Sequence, residues 1–153
     1  MIFSESTNTQ AYLKAGFMGF AGSGKTFTAT IVAIGLWKRL AARKLPGGAA
    51  PIFFLDTETG SDWVAPMIRD SGIKPYGGKT RAFAQLIPAI REAEQAKGIL
   101  IIDSITHFWR ELTESYAKKR HRTRGLEFQD WAYLKQVWGE FTDTFINSNC
   151  HIL

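Results

Sequence analysis

The chain has 153 residues, 45% of them hydrophobic and 22% charged, with a formal net charge of +5. That balance suits one globular domain with an ordinary core and excludes a disordered chain. A single cysteine, Cys150, excludes a disulfide framework; His107, His121 and His151 lack partners at ligand spacing, which excludes a zinc site; and with no apolar run near ~18 residues and no basic-then-apolar start, neither a membrane span nor a signal peptide is expected.

Ile2 to Gln10 reads as a lead-in with little structure of its own. Tyr12 to Met18 reads as a strand, and it delivers the stretch GFAGSGKT, Gly19 to Thr26. The spacing G-x-x-x-x-G-K-[ST] is met by Gly19, Gly24, Lys25 and Thr26, between an apolar stretch and a helical pattern, which is the strand, loop and helix context of a phosphate-binding P-loop, or Walker A motif. Its glycines let successive backbone N–H groups curl round phosphate oxygens, and the helix that follows adds its unpaired N–H groups and positive dipole end. Gly19, Ala21, Gly22, Ser23, Gly24, Lys25, Thr26 and Phe27 are therefore the candidate nucleotide-binding residues. Lys25 would neutralise the β- and γ-phosphates, and the Thr26 hydroxyl would be a ligand of Mg²⁺. The competing reading, a glycine-rich turn that fits the pattern by accident, does not account for the flanking elements.

From Lys25 to about Ala42 the residues Phe27, Ile31, Ile34, Leu36, Trp37 and Leu40 predict a helix packed on a sheet, stopped by Pro46-Gly47-Gly48. Pro51 to Leu55 predicts a buried parallel strand ending in Asp56-Thr57-Glu58-Thr59-Gly60, which places carboxylates where open α/β sheets bind ligands. Asp56 or Thr57 could instead cap the next helix. A short helix is expected over Ser61 to Asp70, a loop with a few extended residues over Ser71 to Lys79, and a helix over Arg81 to Lys97 that Pro88 kinks or delays. Ile99-Leu100-Ile101-Ile102-Asp103 has the form of a buried strand delivering a carboxylate to its C-terminal edge. This is a Walker-B pattern, and it makes Asp103 the second Mg²⁺-associated group.

Ile105, Phe108, Trp109, Leu112 and Tyr116 predict a further helix. The run Lys118 to Arg124 then holds Lys118, Lys119, Arg120, Arg122 and Arg124, and outside it cations and acids balance at 14 each, so the basic excess forms one local anion-binding patch. Its charges and weak periodicity argue against a core element; the alternatives are a nucleic-acid contact and a solvated surface loop. Phe128, Trp131, Leu134, Trp138, Phe141 and Phe145 mark a last helix, with aromatics read mainly as core rather than as base-stacking groups. Cys150 to Leu153 begins another apolar run.

Read together, GFAGSGKT, FFLDTETG and ILIIDSITHFW resemble the RecA-like ATPases, in particular the small AAA-type or RecA-like nucleotide-binding proteins of phage recombination associated with single-strand annealing. The resemblance extends from about Tyr12 to Leu153. It implies a three-layer α/β P-loop NTPase with a mainly parallel sheet flanked by helices, and ATP and Mg²⁺ as cofactors. It further implies that Glu58, two residues beyond Asp56, orients the attacking water, that Asp103 is the Walker-B carboxylate with Ser104 beside it, and that the basic run stands where such proteins carry a loop for single-stranded DNA. A homo-oligomeric ring or filament, a bacterial or phage-infected cytoplasm and an arginine from a neighbouring subunit (Arg110, Arg120, Arg122 or Arg124 in this chain) belong to the same expectation. RecA-like proteins continue beyond the strand that starts at Cys150, so the chain is expected to be an incomplete domain at its C-terminal end.

The mechanism expected is hydrolysis of Mg·ATP, with Glu58 and Lys25 as catalytic residues, coupled to single-stranded DNA. Two other classes stay open. In a small-molecule kinase the basic run would be a lid; in a non-catalytic, nucleotide-dependent interaction module Glu58 would have no catalytic task. GTP is disfavoured because no N-K-x-D motif is present.

Overall fold

The computed structural model describes residues 11–153, and the expected lead-in Ile2 to Gln10 lies outside them. In chain order the elements are α1 (Lys25–Ala42), β1 (Ile52–Asp56), α2 (Gly60–Asp70), β2 (Pro75–Lys79), a 3₁₀ turn (Phe83–Gln85), α3 (Leu86–Gln95), β3 (Ile99–Asp103), α4 (Ile105–Lys119), α5 (Phe128–Asn147) and β4 (His151–Ile152). The four strands form one all-parallel sheet in the order β2-β1-β3-β4. Parallel neighbours cannot be joined by a tight turn, so helices make the crossovers and cover both faces.

Alternate residues of β1 and β3 feed two separate cores, because successive side chains of a strand point to opposite faces. Ile52, Phe54, Ile99, Ile101 and Leu153 pack with Ala29, Ala33 and Ile34 of α1 and Val64 and Ile68 of α2. Leu55, Leu100 and Ile152 pack on the other face with Leu86 and Ile90 of α3, Phe108 and Leu112 of α4, and Leu134 and Phe141 of α5. The result is the three-layer α/β arrangement of a P-loop NTPase, as expected.

Two local expectations change, and a third, left open by the sequence, is decided. The strand expected over Tyr12 to Met18 pairs only around Lys14, where the Ile152 N–H donates to the Leu13 carbonyl at 2.9 Å and the Ala15 N–H to the Ile152 carbonyl at 3.0 Å. Its partner β4 spans two residues, so the ladder is short, and Met18 is fully exposed. Second, Ser71 to Lys79 contains a full edge strand, β2, in register with β1 from Ile52↔Pro75 to Asp56↔Lys79. Third, Pro88 falls in the first turn of α3, after the 3₁₀ turn, so the proline delays the helix and does not kink it.

Candidate functional site

The P-loop joins the Leu13–Ala15 segment to α1. Gly22 (φ 76°) and Gly24 (φ 82°) take left-handed conformations that side chains resist, and Gly24 stands directly before the first residue of α1. The Ser23 N–H donates to the Phe20 carbonyl at 3.2 Å, and a Cβ on Gly19 would lie 2.5 Å from Ser23 Oγ, so a side chain there would push the serine hydroxyl aside. No side chain caps α1. Its first N–H groups and dipole end thus face the loop without a protein acceptor, which suits an anionic ligand. Lys25 Nζ donates to the Gly19 carbonyl at 2.9 Å and to the Phe20 carbonyl at 2.8 Å, laying the ammonium along its own loop. Ala21, Gly22, Ser23, Gly24 and Phe27 are exposed beside it.

The parallel register of β1 and β3 sets Asp56 directly beside Asp103 at the C-terminal edge of the sheet. The two acids then diverge. Asp56 is fully buried and accepts from the Glu58 N–H at 2.8 Å, the Ser61 N–H at 2.8 Å and the Ser61 hydroxyl at 2.5 Å. Burial pushes its carboxyl up, but the Ser61 and Glu58 donors and the Lys79 charge outweigh that and hold it below the usual carboxylate range. Asp56 therefore ties the loop 57–60 to the start of α2, the capping role left open by the sequence. Asp103 instead points at the P-loop helix: the Thr26 hydroxyl donates to Asp103 Oδ2 at 2.5 Å. Thr57 stitches the two strand ends together, its N–H and hydroxyl donating to the Asp103 carbonyl at 2.8 Å and 3.0 Å while its Oγ accepts from the Ser104 N–H at 2.9 Å.

Gly60 is a site residue that the motifs did not single out. A Cβ there would lie 3.1 Å from both Asp103 Oδ2 and Thr26 Cγ2, so a larger residue would press on this pair at the start of α2. Its one sequence signal is its place at the end of DTETG. Thr26 and Asp103 supply hard oxygen donors from two elements, a set that fits Mg²⁺ with its remaining positions taken by phosphate and water. Among the described residues no cluster of three or more His, Cys, Asp or Glu forms a further metal site.

Glu58 lies on the same loop with its side chain 62% exposed, and its Oε1 is 2.6 Å from His107 Nε2. His107 thus has a carboxylate partner that sequence spacing did not indicate. The partner was hidden because the two residues are 49 apart and meet only through the β1–β3 register. Arg81 Nε donates to the Thr57 carbonyl at 2.7 Å, so a cation also braces this loop.

The five cations of the basic run do not form one unit. Lys118 and Lys119 belong to the last turn of α4 and Arg120 caps it, so the run is partly helical. Arg120 donates to the Tyr116 hydroxyl at 3.3 Å and lies over its ring. Arg122 bonds Asp130 through Nε at 2.9 Å and Nη2 at 3.0 Å, and Glu127 through Nη1 at 2.6 Å. Asp130 is 1% exposed, and the Arg122 guanidinium holds its carboxyl below the usual range. Arg122 thus braces the start of α5, while Lys118, Lys119 and Arg124 form no ion pair among the described residues. The α5 aromatics divide as well: Phe141 is buried, but Phe128 is 95% exposed, and Trp131 and Tyr133 are partly open while stacking on Trp109 and Tyr116.

No described helix is long and apolar enough to cross a membrane. Comparison with curated proteins and with solved structures finds no match. A family model for an AAA domain, AAA_24, matches residues 11–153. That range takes in the P-loop, both acidic strand ends and the basic run, and the chain belongs to this AAA domain family of P-loop nucleotide-binding proteins.

Proposed function

We propose that the chain is a Mg²⁺-dependent ATPase whose turnover is coupled to single-stranded DNA. The observation that carries the hydrolytic part is the meeting of Thr26 and Asp103 at the N-terminus of α1, with Glu58 on the adjoining loop. Phosphoryl transfer to water depends on positioning and charge compensation more than on covalent chemistry. The N–H groups of Gly22 to Thr26 would cradle the phosphates, and Lys25 would leave the Gly19 and Phe20 carbonyls to pair with the terminal phosphates. Mg²⁺, held by Thr26 and Asp103 directly or through water, would neutralise charge on the phosphates. Glu58 would orient the attacking water and accept its proton.

The DNA part rests on Lys118, Lys119, Arg120 and Arg124 in the run that leads into α5, on Arg120 lying over the Tyr116 ring that stacks on Tyr133, and on the exposed ring of Phe128 at the start of α5. Cations beside rings offer a single strand both phosphate pairing and base stacking. A role in phage-type recombination or repair, in the cytoplasm and as a homo-oligomer, extends the resemblance stated above. Phosphate release from Mg·ATP, with and without a single-stranded oligonucleotide and with Lys25→Ala as the blank, tests the reading. We expect release that the oligonucleotide stimulates and that Lys25→Ala abolishes. Release that Lys25→Ala leaves intact rejects the site, and release indifferent to the oligonucleotide rejects the coupling.

A further inference from the structure

We infer that His107 positions Glu58 for the attack of water, a role that rests on the ATPase reading above. Glu58 sits on a loop with an exposed carboxylate, and a free glutamate there would sample many rotamers. Among the described residues its carboxylate has a single hydrogen-bond partner, His107 Nε2 at 2.6 Å from Oε1. That distance is in the range of a charge-assisted bond, and since a carboxylate only accepts, Nε2 carries the proton. Oε1 is thereby occupied, and Oε2 is the oxygen left to receive a water's proton.

The imidazole is well placed to fix that geometry. Its side chain is only 20% exposed, its backbone N–H donates to the Ser104 carbonyl at 3.3 Å, and the next residue, Phe108, is completely buried in the core under α4. His107 stands in the first turn of α4, four residues after Asp103, and Glu58 stands two residues after Asp56, its neighbour across the sheet. The register therefore sets the His107–Glu58 pair just beyond Asp103, the acid that accepts from the Thr26 hydroxyl. A base held by a third group is the arrangement that an activated nucleophile calls for.

The test compares His107→Ala, His107→Gln, Glu58→Gln and the double variant Glu58→Gln/His107→Ala in the full chain. His107→Ala should lower kcat for Mg·ATP roughly 10- to 100-fold while KM stays within about twofold, because the loss is of orientation and not of binding. His107→Gln, whose amide can still donate to the carboxylate, should recover most of that loss. In the Glu58→Gln background, His107→Ala should cost nothing further. An equal loss in both backgrounds, a parallel change in KM, or no rescue by glutamine in a variant that melts like wild type would overturn the inference. Nitrogen NMR of the His107 ring gives a readout independent of turnover. Its Nε2 signal should move on Glu58→Gln, and an unmoved signal overturns the pairing. A wild-type chain that shows the shift yet releases no phosphate overturns the ATPase reading, and with it the catalytic use of the pair.

Discussion

Three residues of the strand-end loop have different tasks, and substitution should separate them. Glu58→Gln keeps the shape of the side chain but removes the proposed base. Binding of Mg·ATP by calorimetry should be unchanged, while turnover falls on the order of 10²- to 10⁴-fold, the usual worth of a positioned base. Gly60→Ala adds one methyl 3.1 Å from Asp103 Oδ2, at a position where alanine is a better helix former than glycine. The melting temperature should hold, while Mg·ATP affinity falls by about tenfold; a variant with native affinity would show that the pair can shift freely. Asp56→Asn exchanges a buried carboxylate that accepts three hydrogen bonds for a group with one acceptor, and should cost about 1–3 kcal/mol of stability near neutral pH. The folded state holds Asp56 below its ordinary value of 3.8, so its contribution is complete above that value and is lost as pH falls through the depressed one. Denaturant melts should therefore show the gap between wild type and Asp56→Asn closing only in acid.

At the scale of elements, α4 and the start of α5 decide what the basic run can do. Lys118 and Lys119 project from the end of a helix whose C-terminal dipole favours cations, whereas Arg122 is spent on Asp130 and Glu127. The double variant Lys118→Ala/Lys119→Ala should reduce the salt dependence of oligonucleotide binding, by a slope of roughly 1.4 if both contact phosphates, and leave the melting temperature alone. Arg122→Ala should do the reverse, lowering the melting temperature because Asp130 loses its partner while the slope is kept. Fluorescence anisotropy titrations at several salt concentrations, alongside thermal melts, distinguish the two. β2 has no such chemistry. Its PYGGK sequence is poor in strand formers, and it is a strand because the free edge of β1 offers its backbone a ladder.

At the scale of the whole molecule, the proposed ligand site lies outside the C-terminal ends of β1 and β3, where the sheet edge meets the P-loop and α1. A ligand held there bridges the α1 and α2 layer and the sheet, so its binding should stabilise the fold as a unit. At 100 times its dissociation constant, Mg·ATP should add about 2.7 kcal/mol and raise the melting temperature roughly 5–10 °C. Lys25→Ala should melt at the wild-type temperature without ligand and show no shift with it. A shift that persists in the variant would place the nucleotide elsewhere.

Much of this was determined by the sequence alone. The P-loop from Gly19 to Thr26, the strands ending at Asp56 and Asp103, and the apolar stripes of α1, α4 and α5 are short-range signals, carried by spacing, periodicity and the conformational needs of glycine within one segment. The tertiary structure decided which of these groups meet. Glu58 finds His107 over 49 residues through the parallel register of β1 and β3, and Thr26 finds Asp103 over 77 because α1 starts beside the end of β3; no local pattern encodes either meeting. The same holds for Gly60 closing on the Thr26–Asp103 pair and for the sorting of Asp56 into a structural acid. Arg122 and Asp130 are eight residues apart, yet the turn between α4 and α5 was needed to join them. Residue types and strand ends are local properties, but the partner of a side chain depends on how whole elements are laid side by side.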